Sequence, residues 1–222
     1  MRKLILGIVE FREQLLPQYA ERFRELADGQ SPDTLFITCA DSRVVPNLLV
    51  STDPGDLFTM RNVGNLMPPA TAEGLSTGDL SEASAIEYAV SVLKVANIVI
   101  CGHSGCGAMK AVLARSALDD APNLAKWLHH AEPAALRFER EGGLDARLKP
   151  YDQLSQLNVL AQLEHLATYP VVGEQVAKGT LKLSGWWFDI ATGDMYAYER
   201  DENSFVLIDR KLADRLMQRA GA

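Results

Sequence analysis

The sequence predicts an α/β fold: a mostly parallel sheet of about four parallel strands plus an antiparallel edge strand, flanked by helices and led by an N-terminal helical arm. Three observations predict it. Short apolar runs of strand character (34–38, 57–60, 95–101 and 181–188) alternate with longer segments whose apolar residues recur at helical spacing. Residues 195–199 return from a turn at Gly193 as the second strand of a hairpin, which supplies the antiparallel strand. The residues able to do chemistry stand where strand-like runs stop, and parallel sheets place ligands outside the carboxyl ends of their strands.

Taken in order, residues 3–27 carry Leu4, Ile8, Phe11, Leu15, Tyr19, Phe23 and Leu26 at helical spacing, with Pro17 predicting a split or a kink. A turn cluster over 28–33 precedes the first strand. Asp41 or Ser42 can cap a short helix through Val50, with Pro46 tolerated near its first turn. Residues 53–56 form a turn before the second strand, and 68–81, with its prolines and glycines, reads as a surface loop. A helix over 81–94 shows Ala85, Ile86, Ala89, Val90 and Leu93 on one stripe, and the clearest strand, 95–101, follows it. Residues 102–107 make a glycine-bearing loop that opens a helix over 108–116. Beyond it, 117–150 is helical but broken by Pro122, Pro133 and Gly142-Gly143, and 154–168 reads as an amphipathic helix. A short helix over 171–178 leads to the hairpin. A brief apolar run from Ser204 and a polar helix close the chain, which reads as one domain over 1–222 without internal repeats.

Composition narrows the partners. A net charge of −7 leaves no excess of Lys and Arg to neutralise phosphates, which argues against nucleic acid. Three cysteines make no disulfide framework and suit a reducing compartment. The first nine residues combine basic and apolar character, but Glu10, Arg12 and Glu13 interrupt the run, so a mature helix is expected rather than a signal peptide. No apolar run approaches the ~18 residues that would span a bilayer. A cytoplasmic protein follows as the expectation.

Two stretches carry the chemistry. Cys101-Gly-His-Ser-Gly-Cys106 and Cys39-Ala-Asp-Ser-Arg43 hold all three cysteines, one of four histidines and an acid–base pair. Thiolate and imidazole are ligands zinc prefers, and Cys39, His103 and Cys106 would leave a fourth tetrahedral position open, the catalytic pattern. His-x-x-Cys alone is equally a loop with a buried cysteine. Cys101 is either a packed thiol or the fourth ligand of a closed Cys3His site. Asp41 and Arg43 are either a helix cap and a surface ion pair or a carboxylate fixed by a bidentate guanidinium.

Cys39-x-Asp-Ser-Arg, Arg61-Asn-x-x-Asn, Ile86-Glu-Tyr-Ala, Gly102-His-Ser-x-Cys-Gly and Ser184-Gly-Trp-Trp-Phe-Asp, with Asn158-Val and Gln162, together resemble the β-class carbonic anhydrases. The resemblance covers most of the chain. It implies one Zn2+ per subunit on Cys39, His103 and Cys106, and reversible hydration of CO2 to bicarbonate and a proton. Hydroxide at the metal, oriented by the Asp41–Arg43 dyad, would attack CO2; Asp41 could also swing onto zinc and close the site. Gln30, Phe58, Val63 and Tyr88 match the CO2 pocket of the plant-like branch, with a backbone N–H near Gly107 as a further polarising group. The family also implies a homodimer or higher even oligomer with the active site at the dimer interface, the helical arm 1–27 packing on the partner. Phe36 and Phe188 replace the Trp and Tyr of the noncatalytic bicarbonate site found in a second branch, leaving only Arg61 of that set. Hydrolysis of COS or CS2 on the same fold, and a non-enzymatic zinc-stabilised scaffold, are the competing readings. His129, His130 and His165 are proton-shuttle candidates by elimination.

Overall fold

The chain enters through the arm, α1 (Arg2–Glu10) and α2 (Leu16–Glu25), joined without a break by a π-turn over Phe11–Leu15. Pro17 therefore does not split the arm. It sits in the first turn of α2, and the wider π-turn ahead of it accommodates a residue that has no N–H to give. The arm meets the body at few points: Arg22 pairs with Asp56 at 2.8 Å and donates to the Pro54 carbonyl, while Leu26 lies over Gly55. No residue of α1 is buried. The computed structural model describes residues 1–220.

The body then runs β1 (Thr34–Cys39), α3 (Pro46–Leu49), β2 (Leu57–Asn62), α4 (Leu80–Glu87), β3 (Asn97–His103), α5 (Gly107–Leu113), α6 (Pro122–Leu128), α7 (Glu132–Glu141), α8 (Pro150–Ala167), α9 (Pro170–Ala177), β4 (Lys182–Asp189), β5 (Asp194–Glu199), β6 (Ser204–Leu207) and α10 (Arg210–Ala220). The sheet order is β2-β1-β3-β4-β5-β6. Its first four strands are mutually parallel, and the last two join through antiparallel pairings, β4 with β5 and β5 with β6. The expected antiparallel strand is β5, but it is not the edge: a further strand, β6, pairs antiparallel with it and runs in the direction of the first four. The run after Ser204 is too short to show alternation by itself, yet it pairs with β5 and makes β5 an interior strand.

Alternation along β1 sends Leu35 and Ile37 to one face and Phe36 to the other, and both faces are covered. The first face joins Ile98 and Ile100 of β3 to Ile86, Val159, Leu166 and Tyr169. The second packs Phe36 with Val99, Cys101 and Phe188. A satellite core under α5, α6 and α7 centres on Met109, Leu128, Leu154 and Leu157.

The helix expected to be amphipathic is not. α8 starts at Pro150, and every residue from Leu154 to Ala161 is buried, including Ser155, Gln156 and Asn158. It is covered by the sheet on one side and by α5 and α7 on the other, so its polar stripe faces protein rather than water. Two glycines allow the close approach. A Cβ at Gly102 would stand 2.7 Å from Val159 Cγ2, and one at Gly185 2.9 Å from Val159 Cγ1. Among the described residues, no helix is long and apolar enough to cross a membrane.

Overfilling this contact should be felt at once. Gly102→Ala is expected to cost about 1–3 kcal/mol, measured as a lower denaturant midpoint, and to weaken metal uptake because His103 is the next residue.

Candidate metal centre

Cys39 ends β1 and His103 ends β3; these parallel strands are neighbours, so both side chains emerge at the same edge of the sheet. That edge is special. The chain turns to opposite sides on leaving β1 and β3, so their carboxyl ends bound the crevice where such sheets hold ligands. Cys106 follows His103 by three residues, at the N-cap of α5. The two Sγ atoms and a ring nitrogen of His103 lie within 4.8 Å of one another, and all three residues are buried.

Each of these side chains is aimed by its neighbours. His103 Nδ1 lies 2.9 Å from the Ser104 carbonyl, which can only accept, so the proton belongs on Nδ1 and the lone pair on Nε2. Nε2 is buried without a protein partner, and such an acceptor suits a cation. The ring cannot rotate freely, because Ser104 donates its N–H to the Phe188 carbonyl and its hydroxyl to Asp189. Ser155 Oγ donates to the His103 carbonyl at 2.9 Å, and Gly105 N–H donates to Asp152 at 2.6 Å. Cys39 Sγ accepts the Gly64 N–H at 3.3 Å. Gly64 has φ +85°, and a Cβ there would meet Ala108 Cβ at 2.9 Å, so only glycine presents its N–H in this way.

The two thiols act directly on each other. Hydrogen bonding from Cys106 holds the Cys39 thiol well below its ordinary value against the opposing effect of burial, with smaller help from the Gly64 N–H. The same contact, together with burial, pushes Cys106 up. A pair poised with one thiolate is a ready metal ligand set, and binding a metal displaces the remaining proton.

Asp41 does not cap α3, which starts at Pro46. Its Oδ1 instead accepts Arg43 Nε at 2.9 Å and the Arg43 backbone N–H at 3.0 Å, and its Oδ2 accepts Arg43 Nη2 at 2.7 Å. This bidentate grip holds the Asp41 carboxyl far below the usual carboxylate range. The folded value is depressed, so the pairing contributes stability above about pH 4 and loses it as pH falls through the folded value. Arg43 also donates to the Gly105 carbonyl at 3.3 Å. Arg61 braces the strand end, donating to the carbonyls of Cys39 at 3.1 Å and Asp41 at 2.7 Å. Asp41 Oδ2 stands 3.9 Å from His103 Nε2 and outside the three-ligand group.

Cys101 takes no part. Its Sγ points to the Gly102 carbonyl and to Met195 Sδ, among Phe36, Val99 and Phe188, and burial pushes its thiol up to about 12. The closed Cys3His arrangement is therefore not what the fold builds.

The predicted pocket residues divide into two groups. Val63 and Gly107 belong to the metal end: Val63 precedes the Gly64 donor, and Gly107 opens α5 with nothing within 4 Å of where its Cβ would be. Phe58 pairs with Leu35, whereas Asn62, four residues on, pairs with Cys39, so Phe58 lies about 13 Å back along the strand. There its ring packs 5.8 Å from that of Tyr88, and Tyr88 and Gln30 line one open depression. A single chain does not bring Gln30, Phe58 and Tyr88 to the ligands. Of the histidines, His165 is tied to the Met67 carbonyl, His130 packs edge-on to Trp127, and His129 is exposed beside Glu132.

Sequence reasoning missed the Gly64 N–H, Ser155 and Asp152. A signal existed for Ser155, which shares a polar stripe with Asn158 and Gln162 on an otherwise apolar helix. None existed for a backbone donor.

Comparison with known proteins agrees with this geometry. Residues 34–195 match the family model described as carbonic anhydrase. A carbonic anhydrase of Pseudomonas aeruginosa is 44% identical over 208 residues, covering 93% of this chain and 91% of the relative. One from Synechococcus elongatus is 39% identical, covering 94% of this chain and 75% of the relative. Among solved structures, the β-carbonic anhydrase CcaA superposes with a TM-score of 0.86 at 36% identity, covering 93% of this chain and 98% of that one. One of two tetrameric β-carbonic anhydrases from Sordaria macrospora gives 0.77 at 31% identity, covering 88% and 95%. This chain belongs to the β-carbonic anhydrase family.

Proposed function

We propose that the chain hydrates CO2 reversibly to bicarbonate and a proton, with one zinc per subunit on Cys39, His103 and Cys106. The observation that carries this is the buried Cys-His-Cys triad, its imidazole Nε2 unpartnered and the Asp41 carboxylate held 3.9 Å away by Arg43. Zinc at such a site acts as a Lewis acid that acidifies water, less strongly with two thiolates than with three neutral imidazoles.

The chain's own residues supply orientation. Asp41, kept ionised by Arg43, can only accept a hydrogen bond, so it would accept one from the attacking oxygen, which keeps its proton, and turn a lone pair toward carbon. Phe58, Val63 and Tyr88 form the apolar wall for CO2, and Gln30 with the N–H at Gly107 polarises it. If Arg43 released it, the Asp41 carboxylate could itself become a ligand beside Cys39, His103 and Cys106 and close the site.

Gln30, Phe58 and Tyr88 reach the metal only when a second copy supplies them, which makes a homodimer, or a higher even oligomer, part of the active site. The exposed apolar residues Leu4, Ile5, Ile8 and Phe11 of the arm are the surface offered to that partner. Phe36 and Phe188 are buried without a donor to an anion, which supports the absence of the second bicarbonate site. Free, buried thiols support a reducing, cytoplasmic setting.

The decisive experiment joins zinc quantitation to stopped-flow CO2 hydration across pH, with COS and CS2 assayed alongside. Turnover should rise toward alkaline pH. Asp41→Asn should lower kcat by about 100-fold or more with zinc content unchanged; full turnover in that variant would remove Asp41 from the mechanism. Cys101→Ala should keep one zinc per chain, whereas Cys106→Ser should lose it, and metal loss from the Cys101 variant would reinstate the closed site. Phe11→Asp in the arm should yield a smaller species by sedimentation that retains zinc but not activity. An active monomer would refute the shared pocket.

A further inference from the structure

The loop that donates to Cys39 is itself gripped from two sides. The Gly64 N–H and the Val63 carbonyl belong to one planar trans peptide and point in opposite directions. Trp127 Nε1 donates to that Val63 carbonyl at 2.8 Å, which turns the N–H on the far side toward Cys39 Sγ, 3.3 Å away. The next peptide is held as well: Asn158 Nδ2 donates to the Gly64 carbonyl at 3.0 Å.

The polarity of the second grip is not arbitrary. Gln162 Oε1 accepts the Met67 N–H at 2.7 Å, and its Nε2 donates to the His130 carbonyl at 3.0 Å. Those backbone partners have fixed roles, so Gln162 Nε2 must face the Asn158 oxygen, also at 3.0 Å. The Asn158 NH2 is thereby forced toward Gly64. Asn158 and Gln162 are both almost wholly buried, at 1% and 0% exposure, so no water competes for these bonds.

We propose that Trp127 and Asn158 are positioning residues for the metal centre, clamping the two peptides that flank Gly64 so that one N–H donates to the Cys39 thiolate. This rests on the zinc reading above and extends it. A donor to a ligating sulfur withdraws electron density and fixes its direction, and losing such an outer-shell partner typically weakens metal binding by about 10–100-fold. Trp127 also polarises the shared peptide, which strengthens the N–H it aims.

The test uses the full-length protein. Trp127→Phe keeps a ring but removes the indole N–H, and Asn158→Leu keeps the volume but removes the amide. Zinc affinity by chelator competition should fall by about tenfold or more in each. The sulfur-to-metal charge-transfer band of the cobalt-loaded protein should shift in both, as the thiolate loses its donor. Val172→Ala, which thins the fully buried core at α9, is the control: it should lower stability without moving the band. Affinity and band unchanged in both folded variants would overturn the clamp. Should either variant fail to fold, the cadmium-loaded wild type decides: a scalar coupling between the metal and the Gly64 amide proton is expected, and its absence overturns the proposal. Wild-type protein that binds neither zinc nor cobalt would instead sink the metal reading itself.

Discussion

The close seat of α8 on β3 and β4 is the contact from which the end of β3 and the loop after β2, whose Gly64 N–H donates to Cys39, take their positions. Gly102 and Gly185 bring the helix near enough for Val159 to fill the space that two Cβ atoms would need. At that distance Ser155 reaches the His103 carbonyl and Asn158 reaches the Gly64 carbonyl. One helix thus registers the end of β3 against the loop after β2. A wider spacing would keep the hydrophobic core but leave these polar groups short of their partners, at roughly 1–3 kcal/mol for each unsatisfied one.

This explains why a buried helix carries so many polar side chains. Ser155 also accepts from Trp187 Nε1, and the Asn158–Gln162 pair ends on backbone groups of fixed polarity. A network of that kind is stabilising when complete and costly when broken. The thiol pair follows a similar logic: Cys39 can carry charge because Cys106 and the Gly64 N–H both face it. Acidification reprotonates such a pair, so metal affinity must fall with pH, whatever the state of Asp41. Asp41 itself stays ionised well below that range, because the guanidinium of Arg43 grips both of its oxygens.

Much of this was legible in the residues. Parallel strands put their carboxyl ends on one edge, so Cys39 and His103 at two strand ends already implied convergence despite their separation in sequence. What escaped was what depends on surroundings. The polar stripe of α8 has the spacing of a solvent-facing surface, and only its neighbours reveal that it faces loops. Asp41 could be read either as a cap or as the partner of Arg43, and the place where α3 starts decides between the two. β6 is too short to display a period of two until it is paired. A backbone donor such as the Gly64 N–H has no side-chain signature at all.

The division of the pocket residues has a mechanical consequence. Phe58 and Asn62 lie at opposite ends of one strand, and the pairing of β2 with β1 runs unbroken between them. No loop motion can bring Phe58, with Tyr88 packed on it, to the metal without stripping β2 from the sheet. The residues of the triad, by contrast, are complete within one chain, each held by bonds internal to that chain. On the proposed reading, metal capture therefore asks only for a folded subunit, and substrate capture asks for two. The arm fits that order: it adds almost nothing to its own body, and its apolar residues stabilise only what they cover elsewhere. A chain built this way would acquire its zinc before its pocket, so that the reactive centre is finished only by assembly.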